Sequence, residues 1–217
     1  MSNFSLNQGL YLYITPAGAY TAVSGTDVDK PRQFLRNLLL QRQTPALTIE
    51  NLQKLMWHQD ENKCLELLYQ CQKLGWIQGI KSAEEFPGGA LEDILPELLV
   101  TLSENGKVLL ADQQGFYLAS QGFPHEVAEE LSALSAEIAT LHERRSGLLL
   151  HNLGLGSQAW SVVDLFGNSQ IGFWPLFVGT NRFVVAVSGI PHFNQPEFVS
   201  LVWALTIRYA PEHVLTH

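Results

Sequence analysis

Between Gly106 and Arg145 the spacing of apolar positions changes from that of paired strands to that of one long helix. Val108–Ala111 and Phe116–Ser120 are short β-prone runs separated by Asp112–Gly115, with the acid first and the glycine last. This order predicts a hairpin, because Asp112 can bond its own backbone and Gly115 can take a positive φ. Pro124 then opens a helix, with Glu126, Glu129 and Glu130 near its positive end. Val127, Leu131, Leu134, Ile138 and Leu141 follow a 4-3-4-3 spacing, which predicts a stripe of large side chains facing a sheet. Beside it, Ala128, Ser132, Ser135 and Ala139 form a stripe of small ones. Small residues let another backbone come close, so this second stripe is assigned to contact with a partner helix. An exposed face filled with Ala and Ser has the same periodicity.

The flanking chain carries further periodic segments. Leu10–Ile14 alternates, and a second β-prone run, Tyr20–Val23, follows Thr15-Pro16-Ala17-Gly18, so a hairpin is predicted there. Asp29 and Pro31 begin a helix with Phe34, Leu35, Leu38 and Leu39 on one face, and Thr48 caps a shorter one bearing Leu52, Leu55 and Met56. A third runs from about Asn62 to Leu74, with Cys64, Leu67, Leu68, Cys71 and Leu74 inward and Gly75 as its stop. Trp76–Ile80 reads as a strand. Leu91, Ile94, Leu95, Leu98, Leu99 and Leu102 repeat at helical spacing before the central hairpin; Pro96 either kinks this helix or delays its regular part until about Leu95. After the long helix, Leu148, Leu149 and Asn152 extend the pattern to Gly154. Trp160–Phe166, Ile171–Phe177 and Arg182–Ser188 then form a meander, turning at Gly167-Asn168 and Gly179-Thr180-Asn181. Asn194 with Glu197 has the form of a capping box for a last helix with Phe198, Leu201, Val202 and Leu205 inward.

The expected fold class is α+β, in two domains. Residues 1–86 hold three helices with flanking strands, and about 9–82 of them resemble a winged-helix domain in order and spacing. DNA-binding members of that group place the third helix in the major groove. Here its outward residues, Lys63, Glu66, Tyr69, Gln70 and Lys73, include no arginine, so contact with protein is expected instead. Arg32, Arg36 and Arg42, on or just beyond the first helix, make at most a modest basic face, and a charge set of this size also fits an ordinary solvated surface. Residues 87–217 follow the order helix, strand, strand, long helix, three strands, helix, which predicts a five-stranded antiparallel sheet. With the hairpin LLADQQGFYLAS set between an initial helix and a long Ala-rich one, about residues 90–209 resemble the Roadblock/dynein light chain family. Pro96 and the N-terminal domain depart from a plain member. The resemblance implies a dimer built by pairing third strands edge to edge and long helices side by side, and a regulatory or scaffolding role beside a small Ras-like GTPase. These elements map to Trp160–Phe166, where Val162, Asp164 and Phe166 alternate with Val163 and Leu165, and to the small stripe Ala128, Ser132, Ser135 and Ala139. Left unpaired, such a strand exposes an apolar edge.

Composition narrows the partners. With 217 residues and 46% hydrophobic content the chain can build real cores. The net charge of −8 is unevenly spread: eight basic against eight acidic residues through Phe86, then five against thirteen. This split supports a boundary near Glu84–Gly89, where Pro87, Gly88 and Gly89 supply a linker. An acidic chain without a basic run is a poor ligand for nucleic acid or anionic membrane, so neither is an expected partner. No unbroken apolar stretch has bilayer length, and residues 1–29 lack any Lys or Arg for a signal peptide, so a cytoplasmic location is expected. Cys64 and Cys71, seven apart on a helix, lie roughly 10 Å from each other and are expected to be reduced core thiols.

Chemistry is sparse. The histidines are scattered, and the i, i+4 pair His213 and His217 has no further ligand at zinc spacing. Gly154-Leu155-Gly156-Ser157 lacks the lysine of a phosphate loop and reads as a turn, and no Gly-x-Ser-x-Gly is present. No catalytic residue, metal or cofactor is assigned, and no enzymatic activity is expected. The expected function is that of a dimeric adaptor or regulator of a small Ras-like GTPase. The alternative is a winged-helix transcriptional regulator whose C-terminal domain dimerises or senses a ligand.

Overall fold

The computed structural model describes residues 6–86 and 88–210. Strand β1 (Tyr11–Ile14) runs directly into helix α1 (Pro16–Val23), which overturns the expected strand at Tyr20–Val23. Thr15 Oγ1 accepts from the Gly18 N–H at 3.2 Å and Pro16 occupies the first turn, so the Thr-Pro pair starts a helix rather than a hairpin turn. β1 pairs instead with β2 (Ile77–Ile80), antiparallel, with Tyr11 opposite Ile80. Between them lie α2 (Lys30–Leu39), α3 (Ile49–Met56) and α4 (Glu61–Lys73), capped by the side chains of Asp29, Thr48 and Asp60. Cys64, Leu68 and Cys71 point inward as expected, and Leu65 joins them. Leu74 does not: it is the C-cap of α4, 58% exposed, where the chain turns away at Gly75.

The remaining chain forms α5 (Leu91–Val100), β3 (Val108–Ala111), β4 (Tyr117–Gln121), α6 (His125–Ser146) with a π-helical extension over Gly147–Asn152, β5 (Trp160–Val163), β6 (Ser169–Val178), β7 (Asn181–Ser188) and α7 (Pro196–Tyr209). α5 continues through Pro96, with Leu95 and Leu99 buried. The Asn194–Glu197 box does not form; Gln195 precedes α7 without a side-chain cap and Pro196 begins it.

The five strands make one antiparallel sheet in the order β4-β3-β7-β6-β5. Alternation along β3 and β7 serves two cores. Val108 and Leu110 with Val185 and Val187 face α5 and α7, whereas Leu109 with Val184 and Ala186 faces α6. Pro175 sits within β6 because β5 pairs only as far as Phe173, leaving that part of β6 with an open flank. α1 and α2 pack on α7, so Leu12, Phe34 and Leu52 belong to the same buried cluster as Leu95, Val185 and Phe198.

The small stripe of α6 faces inward, against the sequence expectation, and the large stripe is split: Leu131 and Ile138 pack on the sheet as expected, whereas the rest of it turns outward. Ala128, Ser132, Ser135 and Ala139 are buried on the chain's own side of the helix, over β3, β4 and β7. Val127, Leu134 and Leu141 are 39%, 41% and 38% exposed. The sheet face beneath α6 already carries Leu109, Phe173 and Val184, so small helix residues fit there and bring the helix axis close. The buried hydroxyls are satisfied within the helix: Ser132 Oγ donates to Ala128 O and Ser135 Oγ to Ser132 O, both at 2.7 Å.

Candidate functional site

β5 ends the sheet order, so among the described residues no strand lies beside one flank of its backbone. The strand is shorter than expected. Asp164 and Phe166, read from sequence as strand residues, lie in the turn to β6. Asp164 Oδ1 accepts from the Phe166 and Asn168 backbone N–H groups at 2.8 and 2.9 Å, and its backbone N–H donates to Asn168 O at 2.9 Å. These donors, the Asn168 N–H foremost, hold the Asp164 carboxyl below its usual value. Gly167 supplies the positive φ of 86° that closes the turn. The result is a fastened turn presenting Leu165 and Phe166, 94% and 86% exposed.

The C-terminal half of α6 stands beside this edge. Trp160 Nε1 at the start of β5 donates to His142 Nδ1 at 3.1 Å, and Glu143 pairs with Arg182 of β7. Ten exposed large apolar side chains fall between Leu134 and Phe166, among them Leu148, Leu150, Leu153 and Leu155 on and after the π-helical extension. At ~170 Å² per large side chain their uncovered surface sums to the order of 1,000 Å², distributed over α6, its extension, β5 and the following turn.

Of the residues assigned to an interface from sequence, Val162 and Phe166 remain exposed, Asp164 is half-buried and engaged in its turn, and Ala128, Ser132, Ser135 and Ala139 are withdrawn beneath α6. The leucines of the extension were not assigned. Their signal was the run GLLLHNLGL, too dense in leucine for an amphipathic helix with a solvated side.

Of Arg32, Arg36 and Arg42, the first two share a face of α2, but their guanidinium groups are engaged within the chain. Arg32 Nε donates to Thr21 O at 3.0 Å and its Nη1 meets Asp27 at 3.4 Å. Arg36 Nε donates to Ala22 O at 2.8 Å and its Nη2 to Gly25 O at 2.6 Å. Both guanidinium groups thus fold onto carbonyls at the C-terminal end of α1, which favours cations. Arg42 lies exposed in the bend after α2. Cys64 and Cys71 are buried free thiols, and burial pushes Cys71 up to about 11. Among the described residues no group of three His, Cys, Asp or Glu is placed to hold a metal ion, and no helix is long and apolar enough to cross a membrane. His213 and His217 lie outside the described residues.

No protein-family model matches the chain, and no curated protein does. Among solved structures, it is similar to the crystal structure of a Roadblock/LC7 domain from Streptomyces avermitilis, at 13% identity and a TM-score of 0.36, over 59% of this chain and 100% of that one.

Proposed function

We propose that this chain is a non-enzymatic, dimer-forming regulatory or scaffolding protein of the cytoplasm, built from a winged-helix-like N-terminal part and a Roadblock-like C-terminal module. The observation that carries this reading is the unpaired flank of β5, whose first residue Trp160 reaches His142 of α6, together with the exposed leucines of that helix and its extension. Two copies joined at that flank would continue the sheet from one chain into the other and cover leucines that water otherwise meets. The uncovered apolar side chains on each copy sum to an area comparable with the about 800 Å² per partner that a stable interface buries. The interface is formed by the large stripe of α6, with Leu134 and Leu141, together with Val162, Val163 and the Leu165–Phe166 turn.

The partner that best suits the acidic C-terminal module is a small Ras-like GTPase presenting a basic surface, since five basic against thirteen acidic residues favour opposite charge. A DNA-reading role has less support, because Arg32 and Arg36 are engaged with carbonyls of α1 and its following loop. Light scattering tests the dimer. The wild-type chain is expected at twice its 24.2 kDa mass, and Leu134→Glu combined with Val163→Glu, both exposed positions, at 24.2 kDa with unchanged circular dichroism. A wild-type chain that stays monomeric at tens of micromolar removes the proposal.

A further inference from the structure

A cavity of about 360 Å³ opens between α2 on one side and the β6–β7 turn with the end of α7 on the other. Its size lies within the ~300–1,000 Å³ of small-molecule sites. Val23, Leu40, Phe177 and Val178 give it apolar walls, and Arg36 stands among them. The Arg36 guanidinium uses its Nε and one Nη2 hydrogen on the carbonyls of Ala22 and Gly25. A guanidinium has five N–H donors, so others remain for a ligand. Among the described residues no carboxylate lies within ion-pair distance of it, and its nearest charged neighbour on the same helix face, Arg32, is also a cation. Burial, with Arg32 adding to it, draws the Arg36 pKa below its ordinary value, against the smaller pull of Asp29 and Asp27.

A half-buried cation without an ionic partner among the described residues, set in a largely apolar recess, fits one ligand chemistry better than the rest. An inorganic anion would leave the hydrocarbon walls bare, and a neutral apolar molecule would cover the remaining guanidinium N–H groups without giving them an acceptor. We propose that this cavity binds a small organic acid, its carboxylate on Arg36 and its hydrocarbon body against Leu40, Phe177 and Val178. Because α2 comes from the first part of the chain and β6, β7 and α7 from the second, the bound acid clamps the two together. This site is separate from the β5 edge and does not depend on dimer formation.

Calorimetric titration of the full chain with octanoate, 1-octanol and octylamine tests the proposal. Octanoate is expected to bind and to raise the melting temperature. Octanol should bind at least about tenfold more weakly, the smallest loss expected for a missing charge-assisted hydrogen bond. Octylamine should not bind. Thr180→Trp, at an exposed turn position on the rim, should abolish octanoate binding, and Arg36→Met should reduce it to the level of octanol. Should Arg36→Met fail to fold for want of its carbonyl contacts, Thr180→Trp decides alone. No octanoate binding, equal binding of octanol, or octanoate binding untouched by Thr180→Trp would each overturn the site.

Discussion

A single methyl group at Gly18 reports how closely α1 is seated on the β2 end of the chain. A Cβ there would lie 2.1 Å from the Trp76 carbonyl oxygen and 2.9 Å from Ile14 Cγ1. Two effects oppose each other. Alanine is favoured over glycine inside a helix by about 1 kcal/mol, but the obstacle is backbone, which cannot swing aside as a side chain can. The clash wins: Gly18→Ala is expected to destabilise the protein by roughly 1–3 kcal/mol, seen as a lower urea midpoint with an unchanged slope. A midpoint that stays or rises would mean α1 has room to move outward. The sequence is ambiguous at this residue for a physical reason. Thr15-Pro16-Ala17-Gly18 contains every local cue of a turn, and the same Thr and Pro are equally good helix starters. What decided between them was the Trp76 carbonyl and the Gly75 carbonyl, to which Thr15 Oγ1 donates at 2.6 Å, and both belong to a distant part of the chain.

Two elements show where periodicity stops informing. In α6 the spacing identified two stripes correctly but not which of them faces inward, because both are apolar enough to be buried. The choice was made by the sheet, whose Leu109, Phe173 and Val184 meet Ala and Ser at the centre of the contact and leave Leu131 and Ile138 to pack at its margin, half-buried. Ser132→Leu is therefore expected to cost roughly 1–3 kcal/mol through overpacking, while Leu134→Glu stays within about 0.5 kcal/mol of wild type. Chemical denaturation of the two variants checks this at a protein concentration low enough to keep dimers from contributing; the opposite ranking would restore the original orientation of the helix. The two hairpin turns make the complementary point. Asp112 Oδ1 accepts from the N–H groups two and four residues on, Gln114 and Phe116, and Asp164 Oδ1 does the same with Phe166 and Asn168. The device was legible in Asp112-Gln-Gln-Gly115, where the intervening residues are polar. It was hidden in Asp164-Leu-Phe-Gly167, where two large apolar residues continue the alternation of a strand although they end up in solvent.

At the scale of the molecule, charge and packing divide the chain differently. The acidic excess begins at the Glu84–Gly89 connection, which is why the sequence suggests a boundary there, but charge sorts surfaces and says little about cores. Across that connection Trp203 of α7 donates its indole N–H to Gln41 O at 2.8 Å and meets the Phe86 ring edge-on at 6.2 Å. Tyr20 of α1 lies 6.5 Å from Phe193 and 6.3 Å from Phe198, joining an aromatic cluster that continues to Trp174 of β6. Removing residues 1–86 would uncover these rings together with the outer face of α7, whose residues are buried almost all round. A chain held this way is expected to unfold in one step, with far-ultraviolet circular dichroism and tryptophan fluorescence giving the same urea midpoint. Trp203→Ala, on the second side of the connection, is expected to cost about 3–5 kcal/mol and to lower hydrogen-exchange protection in α2, on the first side, as much as in α7. Two separated transitions, or loss of protection confined to α7, would mean that the shared core contributes no coupling and that the halves fold as independent units despite their contact.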